Sequence, residues 1–415
     1  MPIQGLRSTA DFTVTGQRPQ NWREGMLMLE PNGQAPLTAL TAAMKSQTTD
    51  DPHFHWFEKK LPNQRLQLSA DITAAQTTLN VVTGGVDTQG TSGSRNVKAG
   101  HLLMIEHSGE IVLVTADPSV ANAVTVQRGY AGTTPATVTV ATQNPHMFVV
   151  GNVHEEGSLA PTGIAYDPVE RENYTQIFRN TLEATRTASK TKLRTGEAVR
   201  EAKRECLQLH MLEMEKALWL GKRGLTTKNG KPARTTGGIL WFLETHASGN
   251  IINQAGVAID LLTLEGWMER IFRFGSSEKM VFTGNRALLT IQRIIRKNTN
   301  TPYTLAQGQK EFGMNVSRLV CPFGELVLKT HPLFNQLISS ATPEYYSLDS
   351  WFFVLDMGEF VYRHLTGDDT RYEADLQANG LDGAKSGYLT EMGLELHHPE
   401  THFLIKGVAN ATVDS

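Results

Sequence analysis

Between about residues 66 and 150 the chain stops spacing its apolar residues as helices do, and this narrows the possible folds more than any other feature. The stretch is rich in Val, Thr and Gly and is broken by turns. Leu102–Glu106 and Glu110–Thr115 flank Ser108-Gly109, a pair suited to a tight turn, and predict a hairpin. Val124–Gln127 predicts another strand, ended by Arg128-Gly129. Short strands with no helix between them make an all-β substructure. Helices follow it in the chain without alternating with its strands, so the fold class is α+β.

Extended segments flank this insertion. His53 to Leu61 reads as a strand with a heavy aromatic load in Phe54, Trp56 and Phe57. Tyr174–Thr185 reads as another, with Ile177, Arg179 and Thr181 on one face and Phe178, Asn180 and Leu182 on the other. The two are expected to pair antiparallel as a long arm carrying the insertion. Glu197 to about Lys222 predicts a long helix. Glu201, Arg204, Glu205, Gln208 and Glu215 fall on one polar stripe, and Cys206, Leu209, Met211, Met214 and Leu218 help to cover the rest. Such a helix is expected to be packed on several sides. Residues of about 226–345 read as mixed helix and strand, with helices over Leu261–Phe274 and Arg286–Lys297 and strands over Met280–Thr283 and Leu326–Lys329. The end turns to β, over Trp351–Leu355, Phe360–His364, Leu389–His397 and His402–Lys406. Ahead of all this, residues 1 to about 52 read as an arm with one helical piece, Leu37–Lys45.

At 415 residues the chain exceeds what one hydrophobic core sustains, so several substructures are expected. A net charge of -3 gives no basic footprint for tight nucleic-acid binding. Cys206 and Cys321 are expected to be reduced, partly buried thiols of a protein made in a reducing cytoplasm. No signal peptide and no membrane-spanning run are read.

Candidate chemistry is sparse. His53 and His55 share one strand face near Asp50 and Asp51, but no further ligand recurs at a telling spacing, so no metal site is expected; His397, His398 and His402 are treated alike. Gly383-Ala384-Lys385-Ser386 lacks the glycine that a phosphate loop needs before its lysine. Gly367-Asp368-Asp369 reads as a turn. Thr235-Thr236-Gly237-Gly238 reads as a loop leading into a helix near Leu240. No catalytic residue, no cofactor site and no enzymatic activity are expected.

The order of arm, hairpin, long helix, mixed region and β return resembles the Hong Kong 97-type phage capsid fold. Three segments narrow the resemblance. Pro36-Leu37-Thr38-Ala39-Leu40 through Pro52-His53-Phe54-His55-Trp56-Phe57-Glu58, Asn173-Tyr174-Thr175-Gln176-Ile177-Phe178-Arg179 and Val126-Gln127-Arg128-Gly129-Tyr130-Ala131-Gly132-Thr133 resemble major head proteins related to that of a podovirus of Escherichia coli. The resemblance implies an N-terminal arm at 1–52, an extended loop at 53–190 carrying the β insertion, a spine helix of the peripheral domain at 191–225, an axial domain at 226–345 and the peripheral β return at 346–415. It implies self-assembly into hexamers and pentamers of an icosahedral head around double-stranded DNA, which is touched without sequence specificity, and no membrane partner. A portal protein, a separate scaffolding protein or none, and a decoration protein are the further partners it implies. Phe54, Trp56, Phe57, Tyr174, Ile177 and Phe178 are the expected intersubunit hairpin contacts. Trp56 in particular is expected to find little covering protein in its own chain. Two rivals stand beside this reading: an encapsulin-like compartment, and a glycan-binding or adhesive virion protein that owns the β insertion.

Overall fold

The computed structural model describes residues 45–59, 64–82, 96–118, 122–161, 163–191, 197–254, 257, 259–297, 304–311, 314–336 and 348–408. The expected helix at Leu37–Lys45 and nearly all of the arm lie outside them. The chain divides into two compact units, Trp56–Arg171 and the remainder.

The unit Trp56–Arg171 contains a small β-barrel. Six antiparallel strands run in the order Arg65–Gln67, His146–Asn152, His101–Ile105, Ile111–Val114, Ala123–Gln127 and Thr78–Asn80. The first and last strands then meet. Leu68 bridges Val81, the Ser69 N–H donates to the Asn80 carbonyl at 2.9 Å, and the Val82 N–H donates to the Gln67 carbonyl at 2.8 Å. Among the described residues, closure leaves no free edge to template pairing with another chain. Alternate residues point inward. Leu66, Leu68, Leu79, Val81, Leu103, Ile105, Val112, Val114, Val124, Val126 and Met147 fill the interior with aliphatic groups. The expected hairpin is present, and Gly109 turns it at φ 69°, a left-handed conformation that suits glycine.

One charged pair is sealed into this barrel. Glu110 and Arg128 meet through two hydrogen bonds of 2.7 and 2.8 Å. The Gly129 and Ala136 N–H groups also donate to the Glu110 carboxylate, and Arg128 donates to the carbonyls of Thr73, Gln76 and Ala136. Burial works to raise the Glu110 carboxyl, but these donors outweigh it and hold it below the usual range. The local sequence follows from this. Arg128 carries the charge, Gly129 takes φ 63° and Gly132 takes φ 79°. A Cβ on Gly129 would stand 2.9 Å from the Thr133 carbonyl oxygen.

The other unit holds two large sheets and the short hairpin Gly224–Lys228 with Lys231–Thr235. Seven strands run in the order Ile251–Asn253, Phe403–Lys406, Phe352–Leu355, Glu278–Thr283, Gly324–Thr330, Met314–Cys321 and Thr304–Glu311. One of its faces, through Val281, Leu326, Leu328, Val354 and Ile405, packs on helices Leu261–Ile271 and Asn285–Lys297. The residues that alternate with these, Phe282 and Phe353, meet Trp219 with ring centroids 5.2 and 4.9 Å apart. Trp219 belongs to the 23-residue helix Ala198–Leu220.

That helix also lies on the second sheet. There Gln176–Thr185 pairs antiparallel with Gly383–Leu396, which pairs with Phe360–Leu365, itself parallel to Ser46–Thr49. This corrects the expected arm. Residues 176–185 do not pair with the aromatic strand; the partner of His53–Glu58 is the short strand Val169–Tyr174. Gly383-Ala384-Lys385-Ser386 begins a 14-residue strand, with no loop there.

The long helix differs from expectation in its faces. Cys206, His210, Met214 and Leu218 recur every four residues as one buried stripe, while Leu209 and Met211 are exposed. Glu215, placed on the polar stripe, is fully buried. The Leu333 N–H donates to His331 Nδ1, which leaves the proton on Nε2 to donate to Glu215 Oε1 at 2.7 Å. Trp219 Nε1 donates to the same carboxylate oxygen at 2.9 Å.

Candidate assembly surface

The aromatic strand alternates as its sequence demands. Phe54, Trp56 and Glu58 are buried, and His55 and Phe57 are exposed. Phe54 lies against Gly393, where an added Cβ would come within 2.8 Å of its ring, so only glycine lets that strand approach. Trp56 is 8% exposed, so the expected lack of covering protein does not hold for it. Its indole N–H donates to Glu58 Oε1 at 3.0 Å, and Glu58 is paired with Arg171 at 3.3 Å. Phe178 is buried edge-on against His210, which bonds Asn180 at 2.7 Å and Thr390 at 2.8 Å. Tyr174 is half-buried under the Arg223 guanidinium. Phe57 and Ile177 remain 70% and 60% exposed. Of the six expected contacts, these two therefore present most of their surface to solvent.

The segment 173–179 owes its composition to a buried polar knot that sequence reasoning missed. Asn173 is fully buried. Its Nδ2 donates to Thr236 Oγ1, the Gly237 carbonyl and the Leu394 carbonyl at 3.2, 3.1 and 2.6 Å. Its Oδ1 accepts from the Gly237 N–H at 2.8 Å. Thr175 Oγ1 donates to Glu391 at 2.7 Å, and Gln176 Oε1 accepts from the Thr236 N–H at 3.1 Å. The knot ties the loop expected at 235–238 to strands 176–185 and 383–396. Asn173 and Thr175, short polar side chains beside the strand residues Tyr174, Ile177 and Phe178, are the one local signal of it.

On the open side of the aromatic strand, His53 Nε2 lies 2.7 Å from Glu172 Oε2, and His55 Nδ1 lies 3.9 Å from the same oxygen. Arg223 holds the other oxygen, Oε1. Burial works to raise the Glu172 carboxyl, but the His53 hydrogen bond and the Arg223 charge outweigh it and keep it below the usual carboxylate range. Among the described residues no helix is long and apolar enough to cross a membrane.

A family model described as the SU10 major capsid protein matches residues 8–409. The chain belongs to the SU10 major capsid protein family. It is 27% identical over 402 residues to a major capsid protein of Pseudomonas phage PaMx41, a match spanning 92% of this chain and 90% of that one. Among solved structures it is similar to the capsid of an empty GTA particle, with TM-score 0.49, 9% identity and coverage of 98% of this chain and 100% of that one. It is also similar to an encapsulin complex of Synechococcus elongatus, with TM-score 0.43, 12% identity and coverage of 60% and 81%. The family and the phage relative favour a phage head over the encapsulin-like compartment. This capsid protein is a structural component of a virion shell built from many copies, in a family that is not normally enzymatic.

Proposed function

We propose that the chain assembles into hexamers and pentamers of a Hong Kong 97-type icosahedral head around double-stranded DNA, and that Phe57 and Ile177 make contacts between subunits. The family match along residues 8–409 carries the shell reading. Burial selects the two side chains, since bulky apolar groups left this open on extended strands are candidates for cover by a neighbouring copy. Phe54, Trp56, Tyr174 and Phe178 support the contact from beneath by fixing the strands. Identical contacts repeated head-to-tail around an axis close into rings, and obligate interfaces of this kind exceed about 2,000 Å². Residues 1–52 serve as the arm, 53–190 as the extended loop, 191–225 and 346–415 as the peripheral domain and 226–345 as the axial domain. A portal protein, a separate scaffolding protein and a decoration protein are its further partners, and the subunit is made in the bacterial cytoplasm. Contact with DNA is weak and sequence-independent, in keeping with a net charge of -3.

The double variant Phe57→Ser, Ile177→Ser tests the surface. It is expected to give soluble subunits with unchanged melting that form no closed particles by electron microscopy. Normal particles would refute the assignment.

A further inference from the structure

We propose that His53, His55 and Glu172 form a binding site for one divalent transition-metal ion of the zinc type. The two histidines stand two residues apart on one strand, so their rings project to the same side, with centroids 4.1 Å apart. Glu172 lies on the paired strand Val169–Tyr174 and aims Oε2 at both rings. The three ligand atoms all lie within 4.8 Å of one another. Around a tetrahedral zinc ion with bonds of about 2.0–2.1 Å, ligand atoms stand roughly 3.3 Å apart. The two distances to Oε2, 2.7 and 3.9 Å, lie on either side of that spacing. Small side-chain rotations bring both to it, and each of the three side chains is about one-third exposed.

The donor set is two imidazole nitrogens and one carboxylate oxygen, which suits zinc and leaves a fourth position to water or to a group from a neighbouring chain. The carboxylate is steadied from behind. Arg223 holds Oε1 and lies over the Tyr174 ring at 4.9 Å, and Tyr174 lies 4.5 Å from the His53 ring. Outer partners of this kind orient metal ligands. Arg223 also repels a cation, which weakens the site relative to one without a neighbouring positive charge. A plain His53–Glu172 ion pair is the alternative, but it needs one histidine, whereas both rings converge on Oε2.

Calorimetric titration of the full-length subunit with zinc chloride, beside His55→Gln and Glu172→Gln, tests the site. The expected result is one ion per chain, bound at least tenfold more weakly by each variant, with unchanged melting in the presence of chelator. Cobalt chloride should give the visible bands of a four-coordinate ion in the native chain alone. No binding to the native chain, or equal binding to all three proteins, would overturn the proposal and leave an ion pair only. Should the variants fail to fold, X-ray absorption of the zinc-loaded native chain decides. Two imidazole ligands support the site, and their absence overturns it.

Discussion

The barrel and the two-sheet unit both bury polar groups, but they draw the partners from very different distances along the chain. In the barrel, Arg128 reaches Glu110 across 18 residues, and five of the six strands pair with a neighbour no more than about 50 residues away. In the other unit, Asn173 reaches Leu394 across 221 residues and His331 reaches Glu215 across 116. The barrel therefore contains all that its core and its sealed ion pair need. The other unit cannot complete its second sheet until strand Gly383–Leu396 arrives. Local contacts form early and non-local ones wait on loop closure, so the barrel is expected to fold first and to stand alone.

The strongest way to break this comparison is Glu110→Ala. It leaves the Arg128 guanidinium buried without its carboxylate, a change that costs about 3–5 kcal/mol. Hydrogen exchange should show the loss in barrel amides while the two-sheet unit keeps its protection. Equal loss in both would mean that the units unfold together. Asn173→Ala is the matching change outside the barrel. It removes several buried hydrogen bonds at once and is expected to cost about 2–3 kcal/mol, with exchange rising along 176–185 and 383–396 and the barrel amides unmoved.

Acid sharpens the contrast further. His402 is fully buried, and burial pushes its pKa down to about 3. The folded state keeps the ring neutral while the unfolded chain takes up a proton below about 6.5. The unfolded state thus binds more protons in this window, and stability is lost as pH falls from about 6.5 towards 3, by roughly a few kcal/mol. Urea unfolding between pH 7 and 4 should show the two-sheet unit weakening, and His402→Gln should flatten that dependence. The smallest effect is expected at Arg186 and Asp382. They meet at 2.7 Å, as closely as the barrel pair, but each is 66% exposed. Arg186→Ala should shift stability by no more than about 0.5 kcal/mol.

What could be read in the sequence follows the same division. The hairpin at 101–114 and the strand at 123–127 were legible because turn residues and alternation are local signals. The long helix was legible for the same reason, but its inner face was not. Glu215 scores as a surface residue until His331 and Trp219 are brought to it. The pairing of 176–185 was misjudged because its partner lies some 200 residues on, beyond any periodicity. His53 and His55 lack a third ligand nearby in sequence, because Glu172 stands 119 residues from His53. Phe54, Trp56 and Phe178 show the limit of reading aromatics as interface anchors. Their burial depends on a strand, on Gly393 and on helix residues that only the fold supplies.

The strand by which the chain enters the barrel, Arg65–Gln67, is hydrogen-bonded to the strand by which it leaves, His146–Asn152. Chain entry and chain exit therefore stand side by side, about 5 Å apart. A module tethered in this way is a cassette. It can be deleted, exchanged or loaded with a foreign sequence whenever the replacement brings its own two ends equally close, and the strands that lead to it need not be redesigned. The same pairing of entry and exit makes the barrel the place in the chain where a foreign module meets the least geometric demand.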